Sequence, residues 1–269
     1  MADGDYILLS NAERERLQLQ ARVWQADTER LLDEIGLETG WNCLDVGCGA
    51  MGVLGPLSRR VGRNGRVTGL EMDAKLMAAA QQYINEEGLI NVTLKQGDAN
   101  QSGLSPESFD LVHERFVLPH VADPAALLQE MIRLTKPGGI VIIQEPDHSS
   151  WNLWPYSQKW PRLLHILESA LALRGDINIG RRTFHLARQA GLSNVQLRAG
   201  VVALQDAHPY MKMPMMAAAA MRPHMLAAGL VTEDELDDLL ADFEQRTADP
   251  ETIMITFTTT QVWGRKPTV

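Results

Sequence analysis

The stretch LDVGCGAMG, residues 44–52, decides the fold of this chain and indicates its ligand. An apolar segment carries Asp45 near its end and runs directly into a glycine-rich turn. Because Gly47 and Gly49 have no Cβ, they can adopt positive φ angles and let backbone N–H groups approach a ligand closely. The Asp45 carboxylate suits a ligand with positive charge, hydroxyls or amines better than a pyrophosphate. The alternative is a tight turn of a parallel sheet that binds nothing.

Strand-like and helical patterns alternate on both sides of this turn. Strands are predicted at 42–46, 66–71, 92–96, 109–113, 139–144 and 195–199, and helices at 12–32, 52–61, 74–87, 123–134, 163–173, 183–190 and 232–245. Such alternation requires right-handed crossovers and helices on both faces of a parallel sheet. Residues 252–264 alternate as an antiparallel hairpin partner does. The predicted fold class is therefore α/β, a doubly wound, Rossmann-like, mostly parallel seven-stranded sheet with an antiparallel C-terminal hairpin.

Four regions are expected along the chain. Residues 1–35 form an N-terminal helical lid, in which Ser10 and Glu13 are spaced as a capping box. Residues 36–146 form the cofactor-binding core, 147–182 a helical insertion after the fifth strand, and 183–269 complete the core sheet. The insertion contains three of the six tryptophans, so it either lines a pocket for a flat or apolar substrate or forms a local mini-core.

Composition favours a reduced, cytoplasmic enzyme over a nucleic-acid or membrane protein. The chain has 269 residues and a formal net charge of −9, which repels phosphate backbones. The four arginines between 59 and 66 are interpreted as the solvated end of a helix. The two cysteines, Cys43 and Cys48, are too few for a disulfide framework; we expect Cys43 to pack and Cys48 to line the turn. No targeting segment or membrane span is expected, and a homo-oligomer is left open.

Three acidic residues follow three successive predicted strands. Asp45, Glu71 and Asp98 should meet at the carboxyl edge of the sheet, where doubly wound folds bind ligands. Together they suit an amino-acid ammonium, a ribose diol and an adenine amine. A nicotinamide-dependent dehydrogenase is the competing reading, since residues 47–52 also match G-x-G-x-x-G and Glu71 sits where such enzymes place a ribose-binding acid.

These motifs resemble those of the class I S-adenosylmethionine-dependent methyltransferases. LDVGCG at 44–49 is similar to the first motif of the family, GDA at 97–99 to its adenine motif, FDLVHERFVLPHV at 109–121 to its fourth-strand motif, and LTKPGGIVII at 134–143 to its fifth-strand turn. The N-terminal segment around Arg16 and Gln20 resembles a bacterial small-molecule group in which a helix closes over the active site. Met51 stands where many relatives have a third glycine, with Gly52 one place later.

The resemblance implies S-adenosyl-L-methionine as cofactor and a set of binding residues. The implied cofactor contacts are Gln20, Asp45, Gly47, Cys48, Gly49, Glu71, Met72, Gly97, Asp98, Ala99, His113, Glu114 and Arg115. Among these, Glu71 is expected to take the ribose hydroxyls, Met72 the adenine face and Asp98 the adenine edge. For Arg115, an ion pair with Glu114 or Asp110 is favoured slightly over binding an acidic substrate.

Candidate catalytic residues lie near the carboxyl ends of the fourth and fifth strands. His148 is the preferred base, with His120, Asp147 and the lid residue Tyr6 as further candidates. No metal-ligand spacing of His and Cys is present, although an Asp/Glu magnesium site stays open.

The resulting functional expectation is methyl transfer to a small aromatic or apolar molecule at O, C or N, in secondary metabolism. Two alternatives are kept: a nicotinamide-dependent oxidoreductase, and a protein of the methyltransferase fold that binds the cofactor without transferring methyl.

Overall fold

The computed structural model describes residues 11–173 and 175–268, and within them two sheets. The main sheet contains β1 (Asn42–Val46), β2 (Arg66–Glu71), β3 (Val92–Gln96), β4 (Phe109–Arg115), β5 (Thr135–Asp147), β7 (Ser193–Gly200) and β10 (Thr258–Arg265). A small sheet contains β6 (Asn152–Trp154), β8 (Ala203–Leu204) and β9 (Ile253–Ile255).

The seven strands of the main sheet lie in the order β3-β2-β1-β4-β5-β10-β7. Neighbours from β3 to β5 are parallel, while β10 runs antiparallel to both β5 and β7. The predicted doubly wound α/β fold is confirmed. Since the chain moves outward in opposite directions from β1 and from β4, the crevice beyond their carboxyl ends is the position where such a sheet binds ligands.

Helices cover both faces of this sheet. They are α1 (Asn11–Val23), α2 (Gln25–Glu34), α3 (Leu54–Val61), α4 (Ala74–Glu86), α5 (Pro124–Leu134), α6 (Trp160–Ala172), α7 (Gly180–Gln189), α8 (Met213–Ala227) and α9 (Glu233–Thr247). Leucines of α2 and α3 form one core with β1, β4 and β5, and those of α5 form a second core on the opposite face. Burying apolar surface on both faces explains the continuous apolar runs of the central strands.

The N-terminal helix differs from the single predicted helix. It breaks at Trp24 into α1 and α2, and the Trp24 indole is buried. Of the four arginines interpreted as a solvated helix end, two instead bind α2: Arg60 bonds both Glu29 and Asp33, and Arg59 bonds Glu29. Arg63 and Arg66 are exposed, as expected. These ion pairs fix α2 against α3, beside the glycine turn at 47–52.

The C-terminal region contains a second insertion, of which the sequence patterns predicted only the helix at 232–245. Between β7 and β10 the chain forms β8, α8, α9 and β9, and the two helices pack on α6 of the tryptophan-rich insertion. Residues 253–255 therefore join the small sheet rather than pairing with β10, whose antiparallel partners in the main sheet are β5 and β7. The two insertions share one apolar core above the carboxyl edge.

Both cysteines are buried free thiols. Burial raises the pKa of the Cys48 thiol, and the nearby Asp45 and Glu71 carboxylates raise it further. Within the described ranges, no helix combines the length and the apolar character needed to cross a membrane.

Candidate active site

The glycine turn between β1 and α3 is held open by backbone conformation and by side-chain acceptors. Gly47, Gly49 and Gly52 all have positive φ angles. The Asp45 carboxylate accepts a hydrogen bond from Val53 N at 2.9 Å, and the Glu71 carboxylate accepts one from Gly49 N at 2.9 Å. A Cβ on Gly49 would meet no atom within 4 Å, so the space above the turn is available to a ligand.

Asp45 belongs to a buried polar network rather than to the open face of the turn. The Asp45 side chain is 2% exposed, and its second oxygen lies 2.9 Å from His113 Nδ1. His113 Nε2 lies 2.7 Å from Gln144 Oε1, which in turn accepts a bond from Thr28 Oγ1 on α2. The expectation that Asp45 faces a positively charged ligand group is therefore revised. Both of its oxygens hold the turn and link it to α2.

Glu71, Met72 and Asp98 lie around the carboxyl ends of β2 and β3. Glu71 is 7% exposed and also accepts hydrogen bonds from Met72 N and Asp73 N. Burial raises the pKa of Glu71, whereas these backbone donors and Gly49 N lower it. Met72 is 65% exposed beside it, and the Asp98 side chain is exposed with Asn100 N as a donor to one oxygen. Gly97 and Ala99 are half-buried neighbours of Asp98.

A pair of fully buried carboxyl groups supports the loop after β4. Glu114 and Glu145 are both 0% exposed and hydrogen-bond each other. Burial raises the pKa of Glu114 to about 7, and burial together with the Glu114 charge raises the pKa of Glu145 well above its usual value. Glu145 Oε1 accepts hydrogen bonds from Val117 N at 3.0 Å and Leu118 N at 2.8 Å. The pair therefore shares a proton and holds the loop in place.

That loop packs directly on the glycine turn. A Cβ on Gly47 would lie 2.6 Å from Val117 Cγ2, and Phe116, one residue earlier, has a positive φ of 61°. Such a conformation costs a non-glycine residue energy and persists only where its surroundings enforce it. The buried carboxyl pair, Val117 and Gly47 thus form one connected support.

Arg115 does not make the ion pair that the sequence favours. Its guanidinium donates to Thr28 Oγ1 at 3.0 Å and to the Gly52 carbonyl at 3.3 Å. Asp110 pairs with Lys136 instead. In the part of the chain that the structure describes, no carboxylate lies within 4 Å of the Arg115 guanidinium.

An aromatic cluster lies directly above this loop. Trp24 contacts Phe116 and Phe257 with ring centroids 6.2 and 5.3 Å apart, and Phe257 contacts His148 at 5.0 Å. His148 also meets Trp151 edge-to-face at 5.4 Å. The cluster therefore joins the N-terminal helices, the loop after β4 and both insertions. Sequence reasoning identified His148 and Trp151; Trp24, Phe116 and Phe257 are single aromatic residues far apart in the chain and carry no local pattern.

His148 is 7% exposed, and its Nδ1 has no hydrogen-bond partner among the residues that the structure describes. Burial lowers the pKa of His148 to about 4, so the imidazole is neutral at pH 7.

The other catalytic candidates lie in different surroundings. Asp147 forms a two-point ion pair with Arg181 that lowers its pKa despite partial burial, and His120 is exposed on a short 3-10 helix. Gln20 accepts a hydrogen bond from Arg16 on α1, and Tyr6 lies outside the described residues.

These observations test which cofactor the crevice fits. A pyrophosphate over the turn would have to displace the Glu71 carboxylate from Gly49 N–H and sit close to two acidic side chains. An adenosine instead finds a carboxylate for its ribose at Glu71, an exposed thioether for its ring face at Met72, and an exposed acceptor for its amine at Asp98. The residues present fit an adenosyl cofactor without a pyrophosphate. Among the described side chains, no group of three His, Cys, Asp or Glu could hold a metal ion.

Comparison with known proteins agrees with this fit. Residues 37–187 match the family model described as a methyltransferase domain. The chain belongs to the class I S-adenosylmethionine-dependent methyltransferases. A demethylmenaquinone methyltransferase of Anoxybacillus flavithermus is 33% identical over 206 residues, which cover 69% of this chain and 84% of that protein. The match to the first curated relatives is shorter, at 46% to 51% of their length.

Solved methyltransferase structures share the fold at low sequence identity. Phosphoethanolamine N-methyltransferase 2 of Haemonchus contortus, in complex with S-adenosylhomocysteine, has a TM-score of 0.61 and 17% identity, covering 99% of this chain and 61% of that chain. The cyclase SpnF has a TM-score of 0.53 and 20% identity, covering 91% and 84%. The expected family, fold and cofactor are confirmed, and the nicotinamide-dependent alternative is not supported.

Asp98 offers a direct test of the adenine end of this methyltransferase site. We expect Asp98→Ala to weaken S-adenosylhomocysteine binding about tenfold, the effect of losing one or two hydrogen bonds to a charged acceptor. Because the side chain is exposed, the melting temperature of the free protein should not change. Calorimetric titration measures the affinity, with the exposed Asp234→Ala as control. Unchanged affinity in Asp98→Ala would remove this residue from the site.

Proposed function

We propose that this protein transfers the methyl group of S-adenosylmethionine to a small, planar aromatic molecule bearing a hydroxyl or a comparably acidic group. The observation that carries the proposal is the aromatic cluster above the loop after β4, beside the cofactor turn. Its rings, Trp24, Phe116, Phe257, His148 and Trp151, are spaced 5.0–6.2 Å apart, the range in which aromatic groups pack favourably. The demethylmenaquinone methyltransferase relative supports an acceptor of quinone-like ring chemistry.

The cofactor, when bound, supplies an electrophilic methyl group on a positively charged sulfur. The residues of the chain bind the acceptor, align it with the methyl group and exclude water from the site. Val117 and Phe116 pack beside the glycine turn on the side of β4, and the Glu114–Glu145 pair holds them in place through hydrogen bonds from Val117 N. Rigid positioning of this kind supplies much of the acceleration of a displacement reaction, since the nucleophile must approach in line.

We assign His148 the role of hydrogen-bond acceptor for the acidic proton of the acceptor. Its Nδ1 is buried without a partner, so it is available to a ligand hydroxyl. Because the pKa of His148 lies at about 4, the imidazole is a weak base in the free protein and acts chiefly by aligning the hydroxyl and removing its hydrogen as the methyl bond forms. His120, Asp147 and Tyr6 stay predictions as further candidates for this step.

A variant series tests the role of His148. His148→Phe keeps the ring volume and should bind S-adenosylhomocysteine as the wild type does, while methylation of a phenol or hydroquinone panel from labelled S-adenosylmethionine falls about 100-fold. The exposed His165→Phe is the matched control. Equal turnover by His148→Phe would remove this residue from the mechanism.

The pH dependence of activity distinguishes a buried His148 imidazole from a solvated one. Since the imidazole gains a proton only near pH 4, activity should stay level as pH falls from 8 to about 5.5 and decline below that. A fall in wild-type activity centred near pH 6.5 that is absent in His148→Phe would contradict a buried His148 imidazole that stays neutral.

Two further proposals complete the function. A cytoplasmic location is supported by the two buried, unbridged thiols. Binding of the cofactor without methyl transfer is the second candidate function, because the cyclase SpnF shares this fold. Retained binding of S-adenosylmethionine with no methyl transfer to any member of an acceptor panel would favour that candidate.

A further inference from the structure

Arg115 places a positive charge in the site, and none of the described carboxylates lies within ion-pair distance of it. Within the described ranges its guanidinium bonds two neutral acceptors, Thr28 Oγ1 and the Gly52 carbonyl, and lies 5.9 Å over the Phe116 ring. Burial lowers the pKa of Arg115, which reflects the energetic cost of keeping the charge there. A desolvated guanidinium normally meets a carboxylate or a phosphate, because its fork of donors matches their paired oxygens.

Two more donors face the same region. The Trp24 and Tyr210 side chains are each 1% exposed, and neither Trp24 Nε1 nor Tyr210 Oη makes a hydrogen bond of normal geometry to any described residue. Burial raises the pKa of Tyr210 to about 12, while the Trp24 indole and the charges of Arg16 and Arg115 act in the opposite direction. The phenol therefore lies close to both arginines and to the indole. Buried polar atoms in proteins normally have a hydrogen-bond partner. Donors that lack one and lie close together therefore indicate a ligand-binding position.

The available charges indicate the sign of that ligand. The two acids whose charges act on Arg115 are already engaged: Asp45 bonds Val53 N and His113, and Glu114 hydrogen-bonds Glu145. What the region still offers is an indole N–H, a phenolic O–H and a guanidinium. These groups suit an anionic oxygen group and disfavour an amine.

We propose that Arg115, Trp24 and Tyr210 form a subsite for a carboxylate, between the N-terminal helices and the second insertion. The subsite rests on the proposed function, since it adjoins the same aromatic cluster through Trp24 and Phe116. The carboxylate has two sources, the acidic group of an aromatic acceptor or the amino-acid end of the cofactor. Either source neutralises the Arg115 charge within hydrogen-bonding reach of the indole and the phenol.

Two adenosyl ligands that differ at one end separate the sources. S-adenosylhomocysteine carries the amino-acid carboxylate, and 5′-methylthioadenosine has the same adenosine and thioether without it. If the cofactor fills the subsite, Arg115→Gln and Tyr210→Phe weaken the first ligand at least tenfold and leave the second unchanged. If the acceptor fills it, both adenosyl affinities stay at the wild-type value, and binding of salicylate, used as an aromatic carboxylate probe, falls at least tenfold in both variants.

Stability measurements exclude a merely structural role. Tyr210→Phe removes an unpartnered hydroxyl and keeps the ring, so the ligand-free melting temperature should stay equal or rise, whereas a structural hydroxyl would lower it. The matched controls are the exposed substitutions Arg63→Gln and Tyr156→Phe, which should bind every probe as the wild type does.

The outcomes also separate this subsite from the proposed function. Wild-type affinity of Arg115→Gln and Tyr210→Phe for both S-adenosylhomocysteine and salicylate would overturn the subsite and leave the methyltransferase proposal intact. Absence of adenosyl binding in the wild type would overturn the methyltransferase proposal, while the salicylate comparison would still test the subsite.

Discussion

Gly47→Val should abolish measurable binding of S-adenosylhomocysteine. The φ angle of Gly47 is +64°, and a Cβ there would lie 2.6 Å from Val117 Cγ2. Val117 cannot retreat easily, since its N–H is held by the buried Glu145 carboxyl group. The turn must therefore change shape, and the backbone N–H groups that approach the cofactor move with it. Titration calorimetry should show at least a 100-fold loss of affinity.

The control for this variant is Gly88→Val. Gly88 has a φ of +62°, but a Cβ there meets no atom within 4 Å. The backbone cost is the same, about 1–2 kcal/mol, without the clash. Gly88→Val should therefore lose stability and retain ligand affinity. Tight binding by a folded Gly47→Val protein would contradict the placement of the cofactor over this turn.

The second large effect concerns the Glu114–Glu145 pair and its dependence on pH. The unfolded chain releases both protons near the usual glutamate pKa of about 4.5, whereas the folded protein holds one until about pH 7 and the other beyond it. The folded state therefore binds more protons in this range. Stability contributed by the pair is complete below pH 4.5 and is lost as pH rises through neutrality.

Two substitutions at Glu145 should act in opposite directions. Glu145→Gln stays neutral, keeps an oxygen for Val117 N and Leu118 N, and should denature at higher urea than the wild type at pH 8.5. Glu145→Ala leaves Leu118 N without an acceptor and Val117 N with only Glu114 Oε2 at 3.2 Å, and it should destabilise the protein by about 1–3 kcal/mol at pH 5, the cost of one unsatisfied buried group. The exposed Glu87→Gln serves as control. A wild-type protein whose stability rises between pH 5 and 8.5 relative to Glu145→Gln would contradict the shared proton.

The core strands were predictable because each is an apolar run bounded by glycine or charged residues. Predicted and observed limits agree for β1, β2 and β3, and their order around the sheet follows from right-handed crossovers. α8 was not predicted, since its methionines and alanines give no polar face and Pro223 lies inside it. The pairing of β9 with β6 and β8 depends on contacts between distant segments, which a local pattern cannot contain.

The sequence predicted which residues lie at the candidate site, but it predicted few of the residues with which they form hydrogen bonds. Glu71, Met72 and Asp98 lie at the carboxyl edge as expected. Asp45 turned inward because β4 places His113 opposite it, a register that spacing alone does not reveal. Trp24 and Tyr210 were not predicted as site residues for the same reason, since each reaches the site from a separate helical segment.

Titration of the wild-type protein with S-adenosylhomocysteine and, separately, with NADH is the most direct test of the account. Micromolar binding of S-adenosylhomocysteine at one site per chain, with no heat from NADH, is the predicted result. Binding of NADH alone would show that the glycine turn takes a pyrophosphate after all, and would contradict the assignment of the crevice beside Glu71, Met72 and Asp98 to the methyl donor.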